Sequence, residues 1–302
     1  MYRLLTVGMI AWFALTQIGL LAFAKPEQLL PPTDIDTILA GLAHTEASLK
    51  SGIARVRFYE HSLPYDFHRP PTERPFDEHE SLLAFGGQHT YVKFLGQGKS
   101  ELMCDGRVQL NISAYTITCD FQGYRNPRPA SDPRNWGIWY DRQTLSDYLR
   151  QRKRTRIVGS ENIDGLPCYV IETTFPRNKE ATVKFWVTPE QGFRLIQSLF
   201  HTDTAEYKRK CEWQSYETES GEHVWFVKRG VARFLVVGKE EYISSTIEVS
   251  DFQPNVDVSH FFRPELTPET EVWNRKTQRS VPFKEIGWRE LGTATNGNGG
   301  GQ

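Results

Sequence analysis

Three consecutive β-type segments separated by turn residues are the feature that most constrains the fold of this chain. Residues 166–175, 182–188 and 193–200 are rich in Val, Ile, Phe, Tyr and Trp, which are enriched in strands. Asp164-Gly165 precedes the first segment and suits the positive dihedrals of a tight hairpin turn, and residues 189–192 give a second turn signal. The pattern therefore predicts an antiparallel meander.

Most of the chain repeats this pattern. Within the second segment, Val183, Phe185 and Val187 fall on one side of the expected strand, so that strand has one apolar face. Further strand-like segments lie at residues 54–59, 80–85, 90–95, 101–104, 108–112, 115–121, 206–216, 224–235 and 241–252. Roughly eleven strands in total indicate one extended antiparallel sheet.

Two amphipathic helices are expected beside this sheet. Residues 33–50 begin with Thr33 as N-cap and Asp36 in a capping-box position, and residues 144–153 begin in the same way with Thr144. The apolar residues of both segments recur at helical spacing. Such a stripe indicates either an ordinary core helix or a helix that lies across an open sheet.

The ends of the chain are expected to lie outside the folded domain. Residues 1–24 combine a basic start, an apolar run and an Ala-Phe-Ala cleavage signal, which is typical of a secretory signal peptide. An uncleaved membrane anchor is the alternative. Residues 25–32 form a Pro-containing linker, residues 33–285 a β domain with a C-terminal extension, and residues 286–302 a disordered tail.

The four cysteines all lie in the part expected to be exported. Their even number allows two disulfides in an oxidising compartment. Cys104 and Cys119 flank a predicted hairpin and are the favoured pair, with Cys168 and Cys211 left over. The alternative is that all four are buried thiols that act as small hydrophobic residues.

Motifs for catalysis and for cofactor binding are absent from the sequence. It contains no His-Glu-x-x-His, no Gly-x-Ser-x-Gly, no phosphate-binding loop and no dinucleotide fingerprint, and the cysteine spacing fits no zinc site. A formal net charge of −1 removes the main electrostatic argument for nucleic acid. We therefore expect no catalytic residue, no metal and no cofactor, and an envelope hydrolase is the less favoured alternative.

Apolar surface offers a function that needs no motif. A curved sheet with an apolar concave face under two amphipathic helices can hold an apolar ligand. Each buried methylene contributes roughly 0.8 kcal/mol, so about ten methylenes give on the order of 8 kcal/mol before costs. The competing interpretation is that these residues form the core between the sheet and the helices.

Several of these segments resemble the periplasmic lipoprotein-carrier (LolA/LolB-like) family. The likeness is carried by the first helix and the strand at residues 54–58, the strand–Asp-Gly–strand unit at residues 100–108, the second helix with residues 156–158 and 164–172, the hairpin at residues 183–195, and the closing segment at residues 261–272.

The resemblance implies an unclosed half-barrel of about eleven strands whose mouth is covered by two or more helices. It also implies an exported, periplasmic protein that binds acyl chains of a lipoprotein or lipid. In the carriers a basic residue near the third strand helps to hold the lid, and Gly86-Gly87 stand at the comparable position here. A sensor or scaffold that binds an envelope protein with the same fold is the alternative function.

The residues of the expected cavity follow from the strand phases, and those of the lid from the helix stripes. A register slip of one residue would exchange the two faces of a strand, so the phases are hypotheses. The predicted cavity residues are Val56, Phe58, Val92, Phe94, Leu102, Ile171, Phe185, Val187 and Phe226. The predicted lid residues are Leu39, Leu42, Leu145, Tyr148 and Leu149.

Overall fold

The computed structural model describes residues 30–31, 33–61, 76–96, 100–121, 131–140, 143–175, 178–190, 192–236, 242–289 and 291 of the chain. The predicted signal peptide and nearly all of the predicted linker lie outside the described residues, as does the tail from residue 292.

Most of the described residues belong to β-strands. The helices are α1 (Ile35–Ser48), α2 (Arg134–Gly137) and α3 (Leu145–Arg150), and two 3₁₀ turns span Ser259–Phe262 and Phe283–Glu285. The strands are β1 (Ser51–His61), β2 (Phe76–Gly86), β3 (His89–Phe94), β4 (Glu101–Cys104), β5 (Val108–Ile112), β6 (Ile117–Phe121), β7 (Trp139–Tyr140), β8 (Gln143–Thr144), β9 (Arg156–Ile163), β10 (Leu166–Phe175), β11 (Asn178–Thr188), β12 (Arg194–His201), β13 (Ala205–Glu217), β14 (His223–Val236), β15 (Tyr242–Pro254), β16 (Glu271–Asn274) and β17 (Arg279–Pro282).

Fifteen strands form one large curved sheet that does not close, in the order β17-β16-β6-β5-β4-β3-β2-β1-β15-β14-β13-β12-β11-β10-β9. Two meanders, β1 to β6 and β9 to β15, are joined where the first strand pairs with β15. The expected half-barrel of one mainly antiparallel sheet is confirmed, but the expected count of about eleven strands is too low. The short β7–β8 ribbon and β17 were missed, and β16 pairs with β6 in parallel.

Turn and cap chemistry fixes several element boundaries as the sequence predicts. Asp164 and Gly165 both have positive φ, 52° and 86°, and turn β9 into β10. The hydroxyl of Thr144 caps α3 by accepting from the amide of Asp147. The predicted cap of α1 is wrong by one residue, because Asp34 rather than Thr33 accepts from the amide of Thr37.

Strand alternation divides the apolar residues between two faces of the sheet. Leu83 and Phe85 lie in a cluster with α2, whereas Ala84 between them lies in a cluster on the opposite face. Likewise Ile171 lies beneath α1 and α3, whereas Val170 faces the other way. We call the face that carries the helices the inner face and the opposite face the outer face.

The C-terminal segment covers part of the outer face. Val258, Phe262, Val272 and Ile286 are buried against β2 to β6, and the indole N–H of Trp288 donates to the carbonyl oxygen of Phe262. The described structure therefore continues past residue 285, through residues 286–289 and 291. The signal that sequence reasoning undervalued is the pattern of Ile286, Trp288 and Leu291, all of which pack there.

The four cysteines are free and buried, so the favoured disulfide is wrong. Cys104 lies on β4, two residues from the inner-face residue Leu102, whereas Cys119 lies on β6 in the outer-face cluster. Strand β5 separates the two, and two strand spacings of about 4.8 Å exceed the ~7 Å that a disulfide can bridge between Cα atoms.

Candidate functional site

The predicted cavity residues all lie on the inner face, in two neighbouring clusters. Eight of them are buried, and Phe94 is half-buried. Ile171, Phe185 and Val187 pack beneath α1 and α3 in what we call the lid cluster. The others pack around α2 in what we call the α2 cluster: Val56, Phe58, Val92, Phe94, Leu102 and Phe226.

The register of the sheet joins these two clusters into one surface. Phe185 pairs with Ser198, which pairs with Arg209, which pairs with Ala232. Directly paired residues in antiparallel strands point to the same face. Phe185 of the lid cluster and Ala232 of the α2 cluster therefore face the same side.

Helices α1 and α3 form a lid over the lid cluster. All five predicted lid residues are buried there: Leu39, Leu42, Leu145, Tyr148 and Leu149. Ile38 of α1 is buried with them. The rings of Tyr140 and Phe185 meet edge to face with centroids 5.0 Å apart. The two helices that the sequence predicts as a lid thus lie together over this cluster.

Polar contacts that tie the two lid helices together are few. The carboxylate of Glu46 on α1 accepts from the amide of Ser146 at 3.0 Å and also from its hydroxyl. The guanidinium of Arg150 on α3 donates to the carbonyl oxygen of Leu39 at 3.3 Å. Burial raises the pKa of Glu46, while the two bonds from Ser146 oppose that rise. We call these contacts the lid latch.

A buried ion pair stands beside the α2 cluster. Asp132 and Arg134 are both buried, and a terminal guanidinium nitrogen of Arg134 lies 2.8 Å from Oδ2 of Asp132. Arg134 also donates to the carbonyl oxygen of Gly87 at 3.1 Å and to the hydroxyl of Thr90, and its guanidinium lies 4.3 Å from the ring centroid of Phe85. A basic side chain therefore does reach the Gly86-Gly87 turn, but it comes from α2 rather than from the turn.

A second cation lies on the inner face between the clusters. The guanidinium of Arg209 donates to the carbonyl oxygen of Asn135 at 3.1 Å and to the hydroxyl of Tyr207 at 3.3 Å. Sequence reasoning missed Arg209, Arg134 and Glu46. An alternating strand pattern gives the face of Arg209, but no local signal shows that another element covers it.

Within the part of the chain that the structure describes, no group of three or more His, Cys, Asp or Glu side chains is placed to hold a metal ion. The same part contains no helix with the length and apolar character needed to span a membrane.

No protein-family model and no curated protein matches the chain. Among solved structures, it is similar to a LolA superfamily protein from Nitrosomonas europaea, with 14% identity and a TM-score of 0.46 over 78% of this chain and 99% of that chain. It is also similar to a DUF1329 family protein from Desulfovibrio piger, with 12% identity and a TM-score of 0.42 over 76% and 97%.

A third similar structure is a putative outer membrane lipoprotein-sorting protein domain from Vibrio parahaemolyticus, with 12% identity and a TM-score of 0.39 over 75% of this chain and 96% of that chain. At such identities and TM-scores, similarity by itself transfers no function. Two of these similar structures are thus described as members of the lipoprotein-carrier type that the sequence resembles.

Proposed function

We propose that this protein is an exported, periplasmic carrier that binds an acyl chain of a lipid or lipoprotein reversibly on its inner face, without catalysing a reaction. The observation that carries the proposal is the apolar part of the inner face that lies beneath the two-helix lid, next to the apolar α2 cluster. An acyl chain needs apolar area and exclusion of water rather than a particular polar group, and this face supplies both.

The lid side chains and the ligand compete for the same surface. Six buried lid residues fill the lid cluster, and exposing each would cost about 1.5–3 kcal/mol. An acyl chain of about ten methylenes offers a gross gain of ~8 kcal/mol, which offsets the exposure of about three to five of these residues but not of all six. Binding is therefore an exchange, in which the chain replaces lid side chains against Phe185 and Val187, and its affinity depends on how easily the lid opens.

Two matched leucine variants test this exchange with a dansyl-labelled undecanoic acid as the probe. Leu42 on the lid is 2% exposed and Leu110 on the outer face is 0% exposed, so L42A and L110A each lose about 2–5 kcal/mol of folding stability. Only L42A loosens the lid, and we expect its apparent Kd for the probe to fall about tenfold because the open state becomes more populated.

We expect the Kd of L110A for the probe to equal that of the unaltered protein. Equal effects of the two substitutions would show that the probe responds to general destabilisation. Absence of probe binding in all three proteins would refute the acyl-chain function.

A second candidate function, binding of an envelope protein, is favoured by the edge of the sheet. Strand β9 is the last strand of the described sheet, and its Val158 is 43% exposed. An unpaired strand edge can accept a further strand from a partner. A photo-crosslinker at Val158 would capture such a partner, whereas one at Tyr115, which is 96% exposed on the β5–β6 hairpin, would not. Equal capture at both positions would reject the edge as a docking site.

A further inference from the structure

A cavity of about 310 Å³ lies where strands β12 and β13 diverge. The last residues that pair between them are Gln197 and Lys210, after which β12 continues only along β11 and β13 only along β14. The indole of Trp213 crosses the gap and donates to the carbonyl oxygen of Leu195 at 2.8 Å. We call this opening between the strands the β12–β13 notch.

Arg194 lines the β12–β13 notch with an unsatisfied guanidinium. The residue is only 5% exposed, and its guanidinium stacks 3.6 Å from the ring centroid of Trp225. One nitrogen donates to the carbonyl oxygen of Glu190 at 2.7 Å, but the buried Nε has no acceptor. Burial lowers the pKa of Arg194 to about 10. A buried donor without an acceptor is costly, so a group that accepted from this guanidinium would stabilise the site.

The other charges around the notch pair off and leave one of each sign. The charged residues that line it are Asp164, Glu190, Arg194, Lys210 and Glu212. Lys210 pairs with Asp164, and Glu212 pairs with Arg229 at 3.4 Å. The remaining two, the buried cation of Arg194 and the exposed carboxylate of Glu190, attract each other, but among the described residues neither makes an ion pair within 4.0 Å. The notch therefore has a cation inside and an anion at its rim that make no direct ion pair, so a ligand with both charges could bridge them.

We propose that the β12–β13 notch binds a small zwitterion, whose anionic group accepts from Arg194 and whose ammonium group faces Glu190. The apolar walls formed by Leu166, Ile196 and Trp213 would contact the rest of the ligand. The volume lies at the lower end of the ~300–1,000 Å³ range of small-molecule sites, which suits a ligand of modest size. A free amino acid and a phosphoethanolamine group both carry this pair of charges.

The notch lies away from the lid cluster, although Cys211 and Trp213 of its lining also pack with the α2 cluster. Its test measures zwitterion binding, which does not depend on the acyl-chain proposal. Isothermal titration calorimetry of the full folded chain would compare phenylalanine and phosphoethanolamine as zwitterions with phenylacetate, which has no ammonium group. We expect at least one zwitterion to bind, and phenylacetate to bind more weakly than phenylalanine because Glu190 repels it. Preference for phosphoethanolamine would indicate a lipid head group, and preference for phenylalanine would indicate a free amino acid.

Three variants assign the charges. R194M should weaken binding of the zwitterion about tenfold or more, because hydrogen bonds from a charged donor are lost. E190Q should weaken the zwitterion but strengthen phenylacetate. R57M, an exposed site on β1 remote from the notch along the sheet, should change neither.

Folding measurements separate binding from a structural role of Arg194. Because R194M removes a buried cation that makes no direct ion pair, we expect its thermal midpoint to stay the same or to rise. Failure of both zwitterions to bind the unaltered protein would overturn the proposal. So would equal binding of the zwitterion by R194M, or phenylacetate binding as tight as that of phenylalanine.

Discussion

Replacing Gly41 of the lid with alanine tests how closely α1 rests on the sheet. A Cβ atom at this position would lie 1.8 Å from Cδ2 of Phe193, and 2.5 Å from two further ring atoms. The new methyl group cannot be accommodated unless the ring or the helix moves. Alanine favours a helix over glycine by about 1 kcal/mol, whereas overpacking costs about 1–3 kcal/mol. We therefore expect G41A to lose up to about 2 kcal/mol of folding stability and to lift α1 from the sheet.

Three measurements check this prediction. Amide hydrogen exchange along α1 should accelerate in G41A, and the dansyl-labelled undecanoic acid should bind more tightly because the lid opens more readily. In the double variant G41A/F193A the ring is gone, so the alanine should stabilise the helix and the two changes should couple by about 1–3 kcal/mol. G159A is the matched control, since its Cβ would meet nothing within 4 Å. Faster amide exchange along α1 in G159A, or a G41A protein that is more stable than the unaltered protein, would refute the reasoning.

Further predictions concern buried charges and thiols. Burial raises the folded pKa of Glu46 above its ordinary value of 4.5, so the folded state holds the proton more tightly. The free energy of unfolding in urea should therefore fall as pH rises through the interval between the unfolded and the folded pKa. E46Q should remove this pH dependence, and an unaltered pH dependence in E46Q would contradict the prediction. D132N should cost about 3–5 kcal/mol by leaving Arg134 buried without its counter-ion, and the double variant D132N/R134M should cost less, as read from denaturant midpoints; a larger loss in the double variant would reject this account. Burial raises the pKa of Cys211 to about 12, so iodoacetamide at pH 8 should not modify this thiol in the folded protein and should modify it in urea; rapid labelling of the folded chain would show that it is exposed.

Local signals account for the parts of the fold that the sequence predicts well. The bounds of β4 and β5 agree with expectation because the Asp105-Gly106 turn ends one strand and starts the next. The start of α3 agrees because Thr144 is a strong N-cap. Strict alternation places Val183, Phe185 and Val187 on one face, where all three are buried. In each case the determining interaction lies within a few residues along the chain.

Long-range contacts account for what the sequence does not predict. The pairing of β1 with β15 joins residues about 200 positions apart, and no local pattern specifies it. The parallel contact of β16 with β6 depends in the same way on where the C-terminal segment docks.

The site shows the same division. Apolar cavity and lid residues follow from periodicity. By contrast, Arg134, which is paired with Asp132, reaches Gly87 and Thr90 from the first residue of the short helix α2. The β12–β13 notch exists only because two neighbouring strands separate. Contacts of polar groups between distant elements therefore cannot be predicted from the local sequence and depend on the fold.

Mass spectrometry of lipid extracted from protein purified without detergent tests the central claim most directly. The inner face beneath α1 and α3 predicts that an acyl-containing lipid co-purifies in near-stoichiometric amount, and that it is displaced by the dansyl-labelled undecanoic acid. Protein that carries no lipid after gentle purification and does not bind the acyl probe would contradict the claim.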